Sequence, residues 1–238
     1  MPLVVAVHGG AWRTGDRTLM RTIGEGLSAR GAPVAAIAYR QRPEDPVADM
    51  VCDIRDAVAW ARASATAAGG DARVVLLGDS AGAHAALLAA LAHDGPAVDG
   101  VVALCGALDL GVLAAPVGAE QERRFAEYRA TLAGTRSYAD VLRRDDPVAM
   151  RRLRVAGQVP PLFAATSAGD FFGRSTLSYV ATATALGDDV TTHVVGRAHP
   201  ECRHSWYLDA GLAQTARLFD TVTSWLRTST TRMPVPAG

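Results

Sequence analysis

Ser80 stands in Gly78-Asp79-Ser80-Ala81-Gly82, a G-x-S-x-G pattern between the apolar run Arg73–Leu77 and an Ala/Leu-rich stretch through Ala92. This pattern suits a nucleophile elbow, in which a tight strand-to-helix turn holds a serine hydroxyl up above a sheet. The glycines two residues either side leave room that bulky side chains would close. The helix that follows favours negative charge developing beside its first turn. With only three fixed positions, the motif by itself fits a plain glycine-flanked turn as well. A second glycine loop, His8-Gly9-Gly10-Ala11-Trp12, follows the first apolar run, Leu3–Val7. Two glycines there let the backbone approach a substrate, so the amides of Gly10 and Ala11, with that of Ala81, are expected to form an oxyanion hole. His8 reads as a brace for this loop rather than as a base. The chemistry implied is attack of a serine oxygen on an acyl carbon.

The elements that must position these loops follow from hydrophobic periodicity. Short apolar runs alternate with segments of helical period, the pattern of a parallel sheet covered on both faces. Strands are expected at Leu3–Val7, Pro33–Tyr39, Arg73–Leu77, Val98–Leu104, Leu162–Thr166 and Val190–Val195. Helices are expected for about 14 residues up to Gly31, after the loop Arg40–Pro46 through Ala63, from the elbow through Ala92, over Ser175–Leu186 and over Trp206–Arg227. Residues 106–160 break the rhythm, with helical patches and no strand, and read as a lid-like insertion over the C-terminal edge of the sheet. The expected organisation is one domain over 1–228, with a polar, flexible tail at 229–238.

Four motifs, His8–Trp12, Tyr39–Pro46, Gly78–Gly82 and Gly169-Asp170, resemble those of the hormone-sensitive-lipase-like esterases and the small kynurenine-formamidase-like carboxylesterases. The resemblance covers nearly the whole chain and implies an α/β-hydrolase fold with a Ser-His-Asp triad. The chain departs from those families in lacking N-terminal strands ahead of Leu3, and so reads as a compact version of the fold. In this fold the acid follows the serine and the histidine comes last. Asp170, just past the run Leu162–Thr166, matches the family's acid. Two histidines then compete as the base. His204-Ser205-Trp206 resembles the His-Gly-Phe or His-Ser-Phe turn that opens the last helix, and is preferred. His199, in Gly196-Arg197-Ala198-His199, has the better spacing from the strand and stays open. His93 and His193 read as surface or structural residues, and Cys202 as a small buried one. Trp12 and Trp206 are expected to touch substrate, with Phe125, Tyr128, Tyr138, Phe171 and Phe172 as further candidate walls.

Composition removes several alternatives. All 24 basic residues are arginine, so no lysine base or Schiff base is available. Net charge is +0 and the isoelectric point about 7.0, which gives no general attraction to nucleic acid or anionic membrane. Three widely spaced cysteines offer neither zinc spacing nor a disulfide framework. No run is long and apolar enough for a membrane span and no basic segment precedes Leu3, so a cytoplasmic protein is expected. The chemistry requires no metal and no cofactor.

Hydrolysis of a small acyl ester or thioester is the first functional expectation. The second comes from the insertion, where nine arginines (Arg123, Arg124, Arg129, Arg136, Arg143, Arg144, Arg151, Arg152 and Arg154) face six acids between Glu120 and Arg154. Such a net-basic face suits an acidic acyl-carrier protein, which would make the enzyme an acyltransferase. A solvated lid whose charges pair among themselves is the plainer account. A third possibility is a non-catalytic binder on the same scaffold.

Overall fold

A computed structural model of the chain describes residues 1–41, 44, 46–92, 97–155 and 158–228. His93, the Arg42, Pro43 and Asp45 positions of the Tyr39–Pro46 motif, and the tail at 229–238 lie outside the described residues.

Among the described residues, six strands form one parallel sheet: β1 (Leu3–Val7), β2 (Val34–Ile37), β3 (Val74–Asp79), β4 (Gly100–Leu104), β5 (Leu162–Ser167) and β6 (Val190–Val195), in the spatial order β2-β1-β3-β4-β5-β6. Reversal of direction beside β1 creates a switch point, where sheets of this kind open a crevice at their C-terminal edge. Strands buried on both faces are apolar at nearly every position. Val5, Val7, Val74 and Leu76 point into one core layer, whereas Val4, Ala6, Val75 and Leu77 point into the opposite one.

Helices α1 (Arg21–Ser28) and α8 (Ala213–Thr228) cover the second of these faces, through Ile23, Leu27, Leu218, Val222 and Leu226. Helices α2 (Pro46–Ala67) and α3 (Ala81–Leu91) cover the first, and α7 (Gly173–Ala185) packs beside β5 and β6. Helix α3 is apolar on every side but for His84 and almost wholly buried, as befits a helix enclosed between sheet, α2 and the insertion.

The first and last helices differ from expectation. In place of about 14 helical residues before Gly31, a 3-10 turn at Arg17–Met20, capped by Asp16 accepting from the Thr18 amide, leads into the shorter α1. The expected helix over Trp206–Arg227 breaks in two: a 3-10 turn at Trp206–Leu208, then α8. Asp209 makes the break, because its carboxylate accepts from the Gly211 amide (2.8 Å) and its carbonyl from the Thr215 hydroxyl (2.8 Å).

Between the neighbouring strands β4 and β5 the insertion forms a 3-10 turn (Leu110–Ala114) and helices α4 (Ala119–Ala133), α5 (Tyr138–Arg144) and α6 (Pro147–Arg152). Helix α4 buries Phe125 and Leu132, two turns apart on one face. Helix α6 starts on Asp146, whose carboxylate accepts from the amides of Val148 and Leu110, both at 3.2 Å.

Burial outweighs those two hydrogen bonds and pushes the Asp146 carboxyl up to about 6. A carboxyl raised above its unfolded value of about 3.9 binds its proton more tightly in the folded chain, so folding stability rises as pH falls from about 6 towards 4. Above pH 6 the full penalty is present. Asp146→Asn keeps a capping side chain without the charge, and should stabilise the fold at pH 7.5 by about 1–3 kcal/mol. Urea titrations at pH 7.5 and 4.5 check this; an equal effect at both would exclude a titrating Asp146.

Candidate active site

The elbow expected around Ser80 is formed. Ser80 adopts φ 55° and ψ −117°, a conformation costing about 1–3 kcal/mol for a residue with a side chain. Two contacts explain its persistence. A Cβ on Gly78 would lie 2.4 Å from the Ala83 backbone, and one on Gly82 would lie 2.4 Å from the carbonyl oxygens of Val7 and His8. Glycine at both positions lets helix α3 pack directly on β3 and β1, and the Ser80 amide donates to the Leu104 carbonyl at 2.9 Å.

His204 Nε2 lies 2.9 Å from Ser80 Oγ, and its Nδ1 lies 2.7 Å from Asp170 Oδ1. His199 is elsewhere: it is half-buried, 3.1 Å from Glu201 and 2.7 Å from Gln214. Of the two histidines left open by the sequence, His204 alone meets the serine. Asp170 is buried and accepts three further-fixed bonds, from His204, from the Phe172 amide at Oδ1 (3.0 Å) and from the Thr166 hydroxyl at Oδ2 (2.7 Å). Burial pushes its carboxyl up, but the His204 hydrogen bond and charge, with Thr166 and Phe172, reverse that and hold it below the usual carboxylate range.

Asp79, a variable position in the elbow, ties the His204 loop to the Ser80 turn. Its Oδ1 accepts from the Ser205 hydroxyl (2.7 Å) and from the Tyr207 hydroxyl, with Ser205 in the left-handed region at φ 56°. Cys105, at φ 48° just past β4, puts its thiol within 4.8 Å of the nearest Asp170 and His204 ligand atoms. Burial and the Asp170 charge push that thiol well up, so it stays protonated. Neither role was visible in the sequence. The burial of Cys202 was expected.

The second glycine loop turns beside Ser80 with three consecutive positive φ values, Gly10 (130°), Ala11 (53°) and Trp12 (62°). The Gly10 carbonyl fastens the turn by accepting from the amides of Arg13 (3.2 Å) and Thr14 (3.0 Å). Among the described residues the Gly10 and Ala11 amides have no acceptor. His8 braces this loop: its Nδ1 lies 2.6 Å from the Gly9 carbonyl and its ring stacks on Tyr39 at 4.1 Å. Ala81 opens α3, so its amide is a first-turn donor with no partner inside the helix.

A cavity of about 290 Å³ joins these parts, bordered by Gly10, Ala11, Ser80 and His204 on the polar side and by Tyr128, Phe171 and Phe172 on the apolar side. Trp12 and Trp206, expected to touch substrate, do not line it. Trp12 is buried behind Tyr128 and Phe172, where its indole N–H donates to His84 Nδ1 at 3.1 Å. Burial pushes His84 down to about 4, so its neutral ring also reaches the Asp145 carbonyl, at 2.7 Å. Trp206 lies in the α1–α8 core on the other side of the sheet. Phe125 is fully buried, and Tyr138 donates its hydroxyl to the Leu110 carbonyl at 2.7 Å.

A family model described as alpha/beta hydrolase fold matches residues 4–207. The chain belongs to that family. Among curated relatives of this α/β hydrolase, Esterase LipC of Mycobacterium tuberculosis is 29% identical over 177 residues, covering 67% of this chain and 42% of LipC. Isoprenylcysteine alpha-carbonyl methylesterase ICME of Arabidopsis thaliana is 40% identical over 91 residues, covering 38% of this chain and 21% of that protein. The chain thus spans well under half the length of these curated relatives. The fold is shared with esterase B of Lactobacillus rhamnosus (TM-score 0.77, 23% identity, 95% of this chain and 77% of that one). It is shared equally with a hyperthermophilic esterase of Pyrobaculum calidifontis (TM-score 0.77, 20% identity, 97% and 78%). No helix among the described residues is long and apolar enough to cross a membrane.

Proposed function

We propose that this α/β hydrolase is a carboxylesterase acting through Ser80, His204 and Asp170 by way of an acyl-enzyme. The observation that carries this is the unbroken hydrogen-bond chain from Ser80 Oγ through His204 to buried Asp170, at a strained elbow facing an open cavity. His204 Nε2 takes the Ser80 proton as Oγ bonds to the acyl carbon. The carbonyl oxygen becomes an oxyanion held by the amides of Gly10, Ala11 and Ala81, each worth about 10²–10³-fold in turnover. The leaving oxygen takes the proton back from His204 as its bond to carbon breaks. Water, deprotonated by the same histidine, then frees Ser80. The aromatic wall of Tyr128, Phe171 and Phe172 suits an apolar acyl group.

Acyl transfer from a carrier protein is the less favoured reading, because four of the insertion's nine arginines are taken up in ion pairs. Arg129 pairs with Glu122, Arg136 with Asp145, Arg143 with Asp140, and Arg151 with Asp188 in a buried pair. Intact-mass spectrometry with p-nitrophenyl acetate and butyrate, with aryl thioesters alongside, tests the proposal. An acyl adduct on the wild type that clears in water, and is absent from Ser80→Ala, is the expected result. An adduct that persists until an acceptor alcohol or amine is added would turn the reading to transfer. No adduct from any donor would leave a binding protein on a hydrolase scaffold.

A further inference from the structure

A second groove, of about 460 Å³, adjoins the Ser80 cavity, and His204 and Phe171 are walls of both. It is lined on its far side by Glu120, Arg124, Gly169 and Arg203, and none of Gly10, Ala11 or Ser80 borders it. The groove therefore lies on the histidine side of the nucleophile, away from the oxyanion loop. A leaving group, which must take its proton from His204 Nε2, departs towards this side.

Its charges are held in place without being neutralised. The Arg124 guanidinium sits over the Phe171 ring at 4.5 Å, and Phe171 in turn stacks on the His204 ring at 4.0 Å. Arg124 meets Glu120 only at 3.7 Å, and Glu120 is 84% exposed, so this pair is loose. Arg203, anchored through its backbone bridge to Gly169, has no side-chain partner among the described residues. Two guanidiniums thus face one weakly engaged carboxylate beside the base. We propose that Arg124 and Arg203 bind a carboxylate on the leaving group, so that the preferred substrates are esters of carboxylate-bearing alcohols or phenols. Guanidinium groups suit a planar carboxylate because they offer paired donors in a fixed fork.

The inference rests on the esterase reading. Ser80 Oγ bonds to the acyl carbon, the carbon–oxygen bond to the leaving group breaks, and that oxygen takes the His204 proton. The product released is a hydroxy acid, and water completes the cycle by releasing the acyl group as a second acid.

The test compares 4-acetoxybenzoate with its methyl ester, following release of the acetyl group from the phenolic oxygen. The methyl ester has the better leaving group, so chemistry alone favours the neutral compound. Wild type should nevertheless prefer the carboxylate by about tenfold in kcat/KM, chiefly through KM. Arg124→Gln with Arg203→Gln should remove that preference, Arg203→Lys should restore part of it, and added salt should shrink it. Because the quantity read is a ratio within each preparation, a general loss of activity cancels. A wild type without the preference, or a double glutamine variant that keeps it, overturns the inference while acetyl release from the neutral ester upholds the esterase reading. Release of acetyl from neither compound brings both down.

Discussion

Ser80→Ala, His204→Ala and the variant carrying both should each lower kcat for p-nitrophenyl butyrate by about 10⁴–10⁶-fold, with the double variant no slower than either single one. The lack of additivity is the informative part. Ser80 Oγ and His204 Nε2 are 2.9 Å apart and share one proton, so removing either partner removes the activated nucleophile entirely. What survives is the contribution of the amides and of binding. His199→Ala should stay within about threefold of wild type, since His199 is engaged by Glu201 and Gln214 on the surface. Steady-state kinetics on the four variants, with thermal melts to show that each is folded, decide the matter. Losses that multiply in the double variant would mean that the two residues act in separate steps, and a large loss in His199→Ala would move the base.

The serine turn and the parallel sheet were legible because their signals are local. An apolar run, a glycine-flanked serine and a helical stretch adjoin in sequence, and the backbone strain at Ser80 requires just those neighbours. The choice between His199 and His204 was not local. Both follow β6 within one irregular segment, and the choice is made by Asp79, which holds Ser205 across 126 positions of sequence and Tyr207 across 128. No periodicity carries that information. The two tryptophans show a related limit. Each adjoins a motif, but an aromatic residue beside a site faces either the cavity or the core, and the core claimed both. The insertion's charge count likewise left pairing undecided, whereas the folded insertion brings Arg136 to Asp145 and Arg151 to Asp188. Charges in these pairs offer little to a docking partner.

Asp170→Ala should cost about 10⁴-fold in kcat, and Asp170→Asn at least several-fold less than that. The difference follows from what surrounds the carboxylate. Oδ1 accepts from both His204 Nδ1 and the Phe172 amide, and the amide of Phe172 can only donate. An asparagine here must therefore turn its carbonyl oxygen to that position and its NH₂ group towards Thr166. The Thr166 hydroxyl, which donates to Asp170 Oδ2 in the wild type, can rotate to accept instead. His204 then keeps a hydrogen-bond acceptor at Nδ1, and with it the tautomer that leaves Nε2 free to take the Ser80 proton. Only the negative charge that stabilises the imidazolium is lost. Alanine removes both charge and orientation. Because the Asp170 carboxyl is held below its ordinary range, its contribution to folding is present at neutral pH and fades as pH falls through that lowered value. Asp170→Asn should accordingly lose stability at pH 7 and less of it in strong acid. Kinetics of the two variants, with denaturant titrations at pH 7 and 3, supply the comparison. Equal losses of activity for Asn and Ala would mean that the amide turns its NH₂ group to His204, and that Asp170 acts chiefly by selecting the tautomer.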